Sequence, residues 1–222
     1  MYKKLLTLTL ALSFFIFYQC TQKPVSATKV ELANPEFGGF DSQVQWGQHL
    51  VMIAGCEHCH TPKRMGAHGP ELNPDLKLSG HPAAAPSIEV DKKAMEQKGY
   101  TVTSDLTEWV GPWGTSYAAN LTPDVTGTGN WTIDNFMLAL KEGKLHGVPS
   151  GRQILPPMPW EDIGKMTDYE LKAIFAYLRT VKPISNKVHE PLPPAMAMAA
   201  PAADAKAKVE TKPADSKAAK KK

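Results

Sequence analysis

Cysteine is scarce in this chain: three residues in 222, at positions 20, 56 and 59, alongside seven histidines. A structural zinc site normally takes four protein ligands, usually from two paired elements. No second cysteine pair exists, and Cys20 lies far from the other two. A thioredoxin-like dithiol expects a strand before it and a βαβ pattern around it, whereas the residues before Cys56 have helical spacing. Internal repeats are absent. The apolar run from Leu5 to Tyr18 is too short to span a bilayer comfortably. Excess positive charge is missing from the middle of the chain. The formal charge is +3, but residues 203–222 hold seven lysines against Asp204, Glu210 and Asp215, and Lys3 and Lys4 add two more. Residues 21–202 are therefore left at −3. The sequence provides no basic docking face and implies no nucleic-acid partner.

Against that background, Cys56-Glu57-His58-Cys59-His60 stands out. C-x-x-C-H is the attachment signature of c-type haem. Two thiols three residues apart on one turn can each form a thioether to a haem vinyl group. The histidine beside the second thiol is then held under the iron as proximal ligand. A chance occurrence in this composition is on the order of one in a thousand. One such motif implies one covalent haem c with one iron.

The two ends read differently from the middle. Lys3-Lys4, the apolar run and Gln19-Cys20 form a secretory signal over residues 1–20. The cysteine at its end fits a lipoprotein-type signal, with Cys20 as the lipidation site, although Phe17-Tyr18-Gln19 departs from the small residues usual there. The reading is of an exported protein on the periplasmic face of a bacterial membrane, tethered by lipid on Cys20. Residues 21–40 read as a leader or linker. From about Pro191 the composition collapses to Ala, Pro and Lys, so residues 191–222 read as a disordered tail. Residues 41–190 are left as one domain.

Within it, Val44, Gly47, Leu50, Val51 and Ala54 recur at spacings of three and four, with Asp41 or Ser42 as N-cap, so a helix runs into the haem motif. Gly47 in mid-helix suggests a close helix crossing. A second helix starts at Thr132, presents Ile133, Phe136, Met137 and Leu140, and ends at Gly143. A third begins with the capping box Thr167-Asp168-Tyr169-Glu170, places Leu171, Ile174, Phe175 and Leu178 on one face, and stops before Pro183. Residues 61–120 have little periodicity and many prolines. Only about 91–98 looks helical there, with short extended pieces at Val102, Leu106 and Trp109-Val110. The expected class is all-α: helices wrapped around one flat cofactor, with a long irregular insertion.

The distal iron ligand points to Met158, in Ile154-Leu155-Pro156-Pro157-Met158-Pro159-Trp160. A thioether is a weak ligand, so its loop should be rigid beforehand, and flanking prolines restrict it. Met137 and Met166 read as core or helix-end residues, and Met65 is too close in sequence to His60 to reach the opposite face. Met95 remains open. For the other ring nitrogen of His60, the Pro70 carbonyl in Gly69-Pro70-Glu71-Leu72 is the candidate acceptor, with an ordinary turn as the alternative.

Ala54 through His60, Gly69-Pro70-x-Leu72, Met158 and the last aromatic helix resemble the class I cytochrome c domain. A longer pattern is similar to bacterial cytochrome c subunits that serve membrane-bound alcohol, aldehyde or sugar-acid dehydrogenases. It comprises Asn120-Leu121-Thr122-Pro123-Asp124, Trp131-Thr132, Phe136, Ala139-Leu140 and Gly143, then Pro157-Met158-Pro159-Trp160 and Met166-Thr167-Asp168. The resemblance covers roughly residues 40–190. It implies that Cys56 and Cys59 hold haem covalently, that His60 and Met158 are axial, and that the 120–124 loop and Trp160 lie near the haem. Those subunits usually carry two or three such domains where this chain has one, and the stretch between His60 and Asn120 is long for a minimal cytochrome c.

The expected role is one-electron carriage by an electron-transfer protein rather than an enzyme. Its redox partners would be a dehydrogenase or quinol-oxidising complex on one side and an oxidase or another cytochrome on the other. The alternative is a haem enzyme or gas sensor in which Met158 is labile or absent from iron.

Overall fold

The computed structural model describes residues 35–198. The signal, Cys20, the leader up to residue 34 and the tail from residue 199 lie outside the described residues. Helix α1 (Gln43–Ile53) is capped by Ser42, whose hydroxyl accepts from the Gln45 amide. Helix α2 (Cys56–His60) follows after Gly55, whose φ of 70° supplies the left-handed residue that turns the chain between the helices. Helix α3 (Lys92–Lys98) is capped by Asp91. Helix α4 (Ile133–Lys141) and helix α6 (Asp168–Leu178) both open with capping boxes, on Thr132/Asn135 and Thr167/Glu170. Between them, α5 (Trp160–Ile163) is a single turn, and α7 (Ala195–Met198) closes the described chain.

The core is the meeting of α1, α4 and α6. Leu50, Val51, Phe136, Leu140, Leu171, Ile174 and Leu178 are buried together, with Leu78 arriving from the insertion. Full burial of one such side chain stabilises by about 1.5–3 kcal/mol. Gly47 has the close crossing its position suggests. A Cβ there would sit 1.9 Å from the Ala173 carbonyl oxygen on α6. The two helices can therefore touch backbone to backbone only because this residue has no side chain.

The all-α expectation fails. Two antiparallel hairpins make the fold mixed α and β: β1 (Lys63–Gly66) with β2 (Gly69–Leu72), and β3 (Glu108–Gly111) with β4 (Gly114–Tyr117). The strands are four residues long and carry little alternation. All four residues of β3 are buried, so no polar face marks it. The first hairpin is largely exposed and has no apolar face to betray it.

The insertion is held by polar contacts. Gly80 donates to the His60 carbonyl and His81 to the Ala118 carbonyl. At Gly80 (φ 77°) a Cβ would meet the Ala118 carbonyl oxygen at 2.5 Å. This glycine lets the 118–119 backbone lie against the end of α2. Residues 191–198, placed in the tail by composition, also make contacts. Leu192 pairs with Thr115, and the Glu96 carboxylate accepts from the Ala195 and Met196 amides.

Candidate functional site

A cavity of about 290 Å³ lies between the helical core and the second hairpin. Cys56, Cys59 and His60 form one part of its lining, and Pro156, Pro157 and Met158 another. Trp109, Trp131, Phe136 and Leu140 supply apolar wall. Such an apolar cavity suits a large flat apolar group with few polar anchors.

Sequence spacing places the two cysteines on α2, a five-residue helix that brings both to the same cavity. Burial pushes the Cys56 thiol up to about 11, with smaller contributions from its neighbours, and raises the Cys59 thiol as well. Both are protonated thiols at neutral pH.

His60 is buried. Its Nδ1 donates to the Ala119 carbonyl oxygen at 2.7 Å. A carbonyl can only accept, so the proton sits on Nδ1 and the Nε2 lone pair is left for an electrophile. Burial, ahead of all other influences, lowers the pKa of His60 and favours the neutral imidazole. The Pro70 carbonyl does not fill the acceptor role suggested by the sequence. Pro70 pairs with Met65 in the exposed β1–β2 hairpin. No side-chain pattern could have announced Ala119, because the acceptor is a main-chain atom brought in by Gly80.

Among the described methionines, Met158 lines the cavity. Met52 and Met65 are exposed, and Met137 and Met166 pack against the helical core. The Met158 loop is tied to the end of α4: Ile154 donates to the Gly143 carbonyl and Leu145 to that of Arg152. Leu121 lines the cavity, but neither Asn120 nor Trp160 does. Asn120 instead organises its own loop. Its Nδ2 donates to the Ile184 carbonyl at 2.8 Å, and its Oδ1 accepts from the Thr122 amide and hydroxyl. Trp160 packs over Gly143, where a Cβ would meet its ring at 2.5 Å.

The residues present fit a haem: two thiols, a neutral imidazole with a free nitrogen and a thioether line one apolar cavity. Among the described residues, no group of three or more His, Cys, Asp or Glu side chains could hold a metal ion by itself, so a zinc centre gains no support from their arrangement. No described helix is long and apolar enough to cross a membrane.

No protein-family model matches the chain. Individual proteins do. The fructose dehydrogenase cytochrome subunit of Gluconobacter japonicus is 31% identical over 153 residues, which are 66% of this chain and 24% of that protein. The cytochrome c subunit of alcohol dehydrogenase (quinone) from Gluconobacter oxydans is 34% identical over 167 residues, 72% of this chain and 27% of that protein. The gluconate 2-dehydrogenase cytochrome c subunit of Pantoea cypripedii is 36% identical over 78 residues, 34% of this chain and 17% of that protein. The chain thus spans about a quarter of the length of the first two relatives. Its homologues are cytochrome c subunits of dehydrogenases.

Proposed function

We propose that this chain is an exported monohaem c-type cytochrome that carries single electrons from a dehydrogenase or quinol-oxidising complex to an oxidase or another cytochrome. The observation that carries the reading is the joint lining of one apolar cavity by Cys56, Cys59, His60 and Met158. Haem c would supply the Fe(III)/Fe(II) couple. Cys56 and Cys59 would hold it through thioethers. His60, fixed by the Ala119 carbonyl, would offer Nε2 to the iron, and Met158 would offer its thioether as the second ligand.

The residues explain why transfer rather than substrate chemistry suits the site. A histidine and a methionine both given to the iron would favour electron transfer over substrate binding, and methionine ligation would raise the potential. The Ala119 hydrogen bond fixes both tautomer and ring orientation, which are what a proximal ligand needs from its surroundings. The homologues' names support a dehydrogenase as donor. Cys20 would carry the lipid that holds the mature protein at the periplasmic membrane surface.

The test is a pyridine haemochrome assay on the mature protein after acid–acetone extraction, paired with Met158→Ala. One non-extractable haem per chain with two thioether links is expected. Loss of the ferric thioether charge-transfer band and a lower potential are expected in the variant. Extractable haem, or an unchanged spectrum on substitution, refutes the corresponding assignment. For the anchor, Cys20→Ser should release the protein from membranes; a wild type that is already soluble removes the lipid from the proposal.

A further inference from the structure

The second hairpin makes a specific contact with the Met158 loop. Ser116, buried on β4, donates its hydroxyl proton to the Pro156 carbonyl at 2.7 Å. Trp113 Nε1, in the hairpin turn, donates to the same hydroxyl oxygen at 3.0 Å. An indole nitrogen can only donate. With its oxygen accepting from Trp113, the serine is oriented to give its own proton to Pro156. Among the described residues this is the hydrogen bond that joins the insertion to residues 151–159. The other hydrogen bonds of those residues run to residues 142–148, which follow α4, and to α5.

From this geometry we infer that the β3–β4 hairpin is a brace for the axial methionine, with Ser116 as a positioning residue and Trp113 as its orienter. The inference rests on the haem reading above. Pro156 precedes Met158 by two residues, and proline already restricts the backbone between them. Fixing the Pro156 carbonyl from the insertion side therefore restricts where the thioether can go. A thioether bond to iron is weak, so its persistence depends on the loop having nowhere else to settle. The insertion then has a task at the cavity itself: it supplies wall through Trp109, Tyr117 and Ala118, and it fixes the ligand loop through Ser116.

The test uses the haem-loaded full protein and imidazole as an exogenous ligand that competes with Met158 for ferric iron. Ser116→Ala should tighten apparent imidazole binding about fivefold, the loss expected for one net hydrogen bond. Ser116→Thr, which keeps the hydroxyl, should restore the wild-type affinity. Trp113→Phe should shift affinity in the same direction as Ser116→Ala, by about twofold. A purely structural role for Ser116 would lower the thermal midpoint without moving imidazole affinity.

Unchanged imidazole affinity in Ser116→Ala, with Met158→Ala binding imidazole much more tightly than wild type, overturns the brace and leaves the haem ligation intact. If Met158→Ala has wild-type spectrum and affinity, the ligation reading falls and the brace with it. Should Ser116→Ala fail to retain haem, Trp113→Phe decides: tighter imidazole binding upholds the brace, and unchanged binding overturns it.

Discussion

The helical frame and the insertion bury their chains by different means. Around α1, α4 and α6 the buried set is aliphatic and aromatic: Leu50, Val51, Phe136, Leu140, Leu171, Ile174 and Leu178. In residues 61–122 the apolar Leu78, Trp109, Val110 and Ala118 are buried beside a larger polar set: Thr61, Ser79, His81, Thr107, Glu108, Thr115, Ser116, Asn120 and Thr122. Apolar burial is non-directional, so the frame depends on close packing of its faces rather than on particular atoms aimed at partners. Polar burial stabilises only when each group meets a partner in the right direction. The irregular backbone of the insertion is thus held at defined points. Leu78 N donates to Thr61 Oγ1, Asn186 Nδ2 donates to the Ser79 and His81 carbonyls, and Thr107 Oγ1 donates to Asp105 while meeting His81 Nδ1. One region supplies the bulk of the core, and the other fixes single atoms at the cavity wall.

Substitutions at one point in each region should separate these two modes. The largest effect is expected at the helix crossing. Gly47→Ala places a methyl group against the Ala173 carbonyl and should destabilise by about 3 kcal/mol or more. Urea denaturation followed by far-ultraviolet circular dichroism would measure it. A change within error would mean that α1 and α6 can separate without loss, contrary to their packing.

In the insertion, Asn120→Ala removes bonds to the Ile184 carbonyl and to Thr122. It should cost about 2 kcal/mol, since the carbonyl and amide partners are left without their mates. It should also perturb the cavity wall at Leu121. The haem visible spectrum should therefore change in Asn120→Ala more than in Gly47→Ala under conditions where both are folded. Equal spectral changes would erase the distinction between frame and wall.

The smallest effect is in pH dependence. Burial lowers the pKa of His81 from its ordinary 6.5, opposed by the nearby Glu108 and Asp105 carboxylates and reinforced by His189. A histidine held neutral in the fold takes up a proton more readily when unfolded. Its contribution therefore lowers stability as pH falls through the ordinary value, and is absent well above it. His81→Asn, whose amide can stand near Nδ1 and meet Thr107, should flatten the loss of stability between about pH 7.5 and about pH 5.5. Urea midpoints at the two pH values would show it, and an unchanged slope would remove His81 from the acid sensitivity.

The sequence legibly marked the parts built on periodicity and on local chemistry. Ser42, one of two candidate caps for α1, the N-cap at Thr132, the capping box at Thr167, the close approach at Gly47 and the helical stretch near 91–98 all follow from side chains acting within a few residues of themselves. The C-x-x-C-H spacing places two thiols and an imidazole on one short helix for the same local reason. Of the hairpins only the extended piece at Trp109-Val110, within β3, was legible, because four-residue strands that are wholly buried or largely exposed leave no alternation to read.

What the tertiary structure decided is which distant groups meet. Ala119 rather than Pro70 accepts the hydrogen bond from His60 Nδ1, because Gly80 allows the 118–119 backbone to approach α2. Ser116 reaches Pro156 across 40 residues of chain. Both contacts involve a main-chain carbonyl, a group every residue carries, so residue type says nothing about which one will be used. The sequence by itself determined the two thiols and the imidazole on one short helix and the helices around them. Only the folded chain determined how that chemistry is held, because directional hydrogen bonds between remote segments exist only once the segments have been brought together.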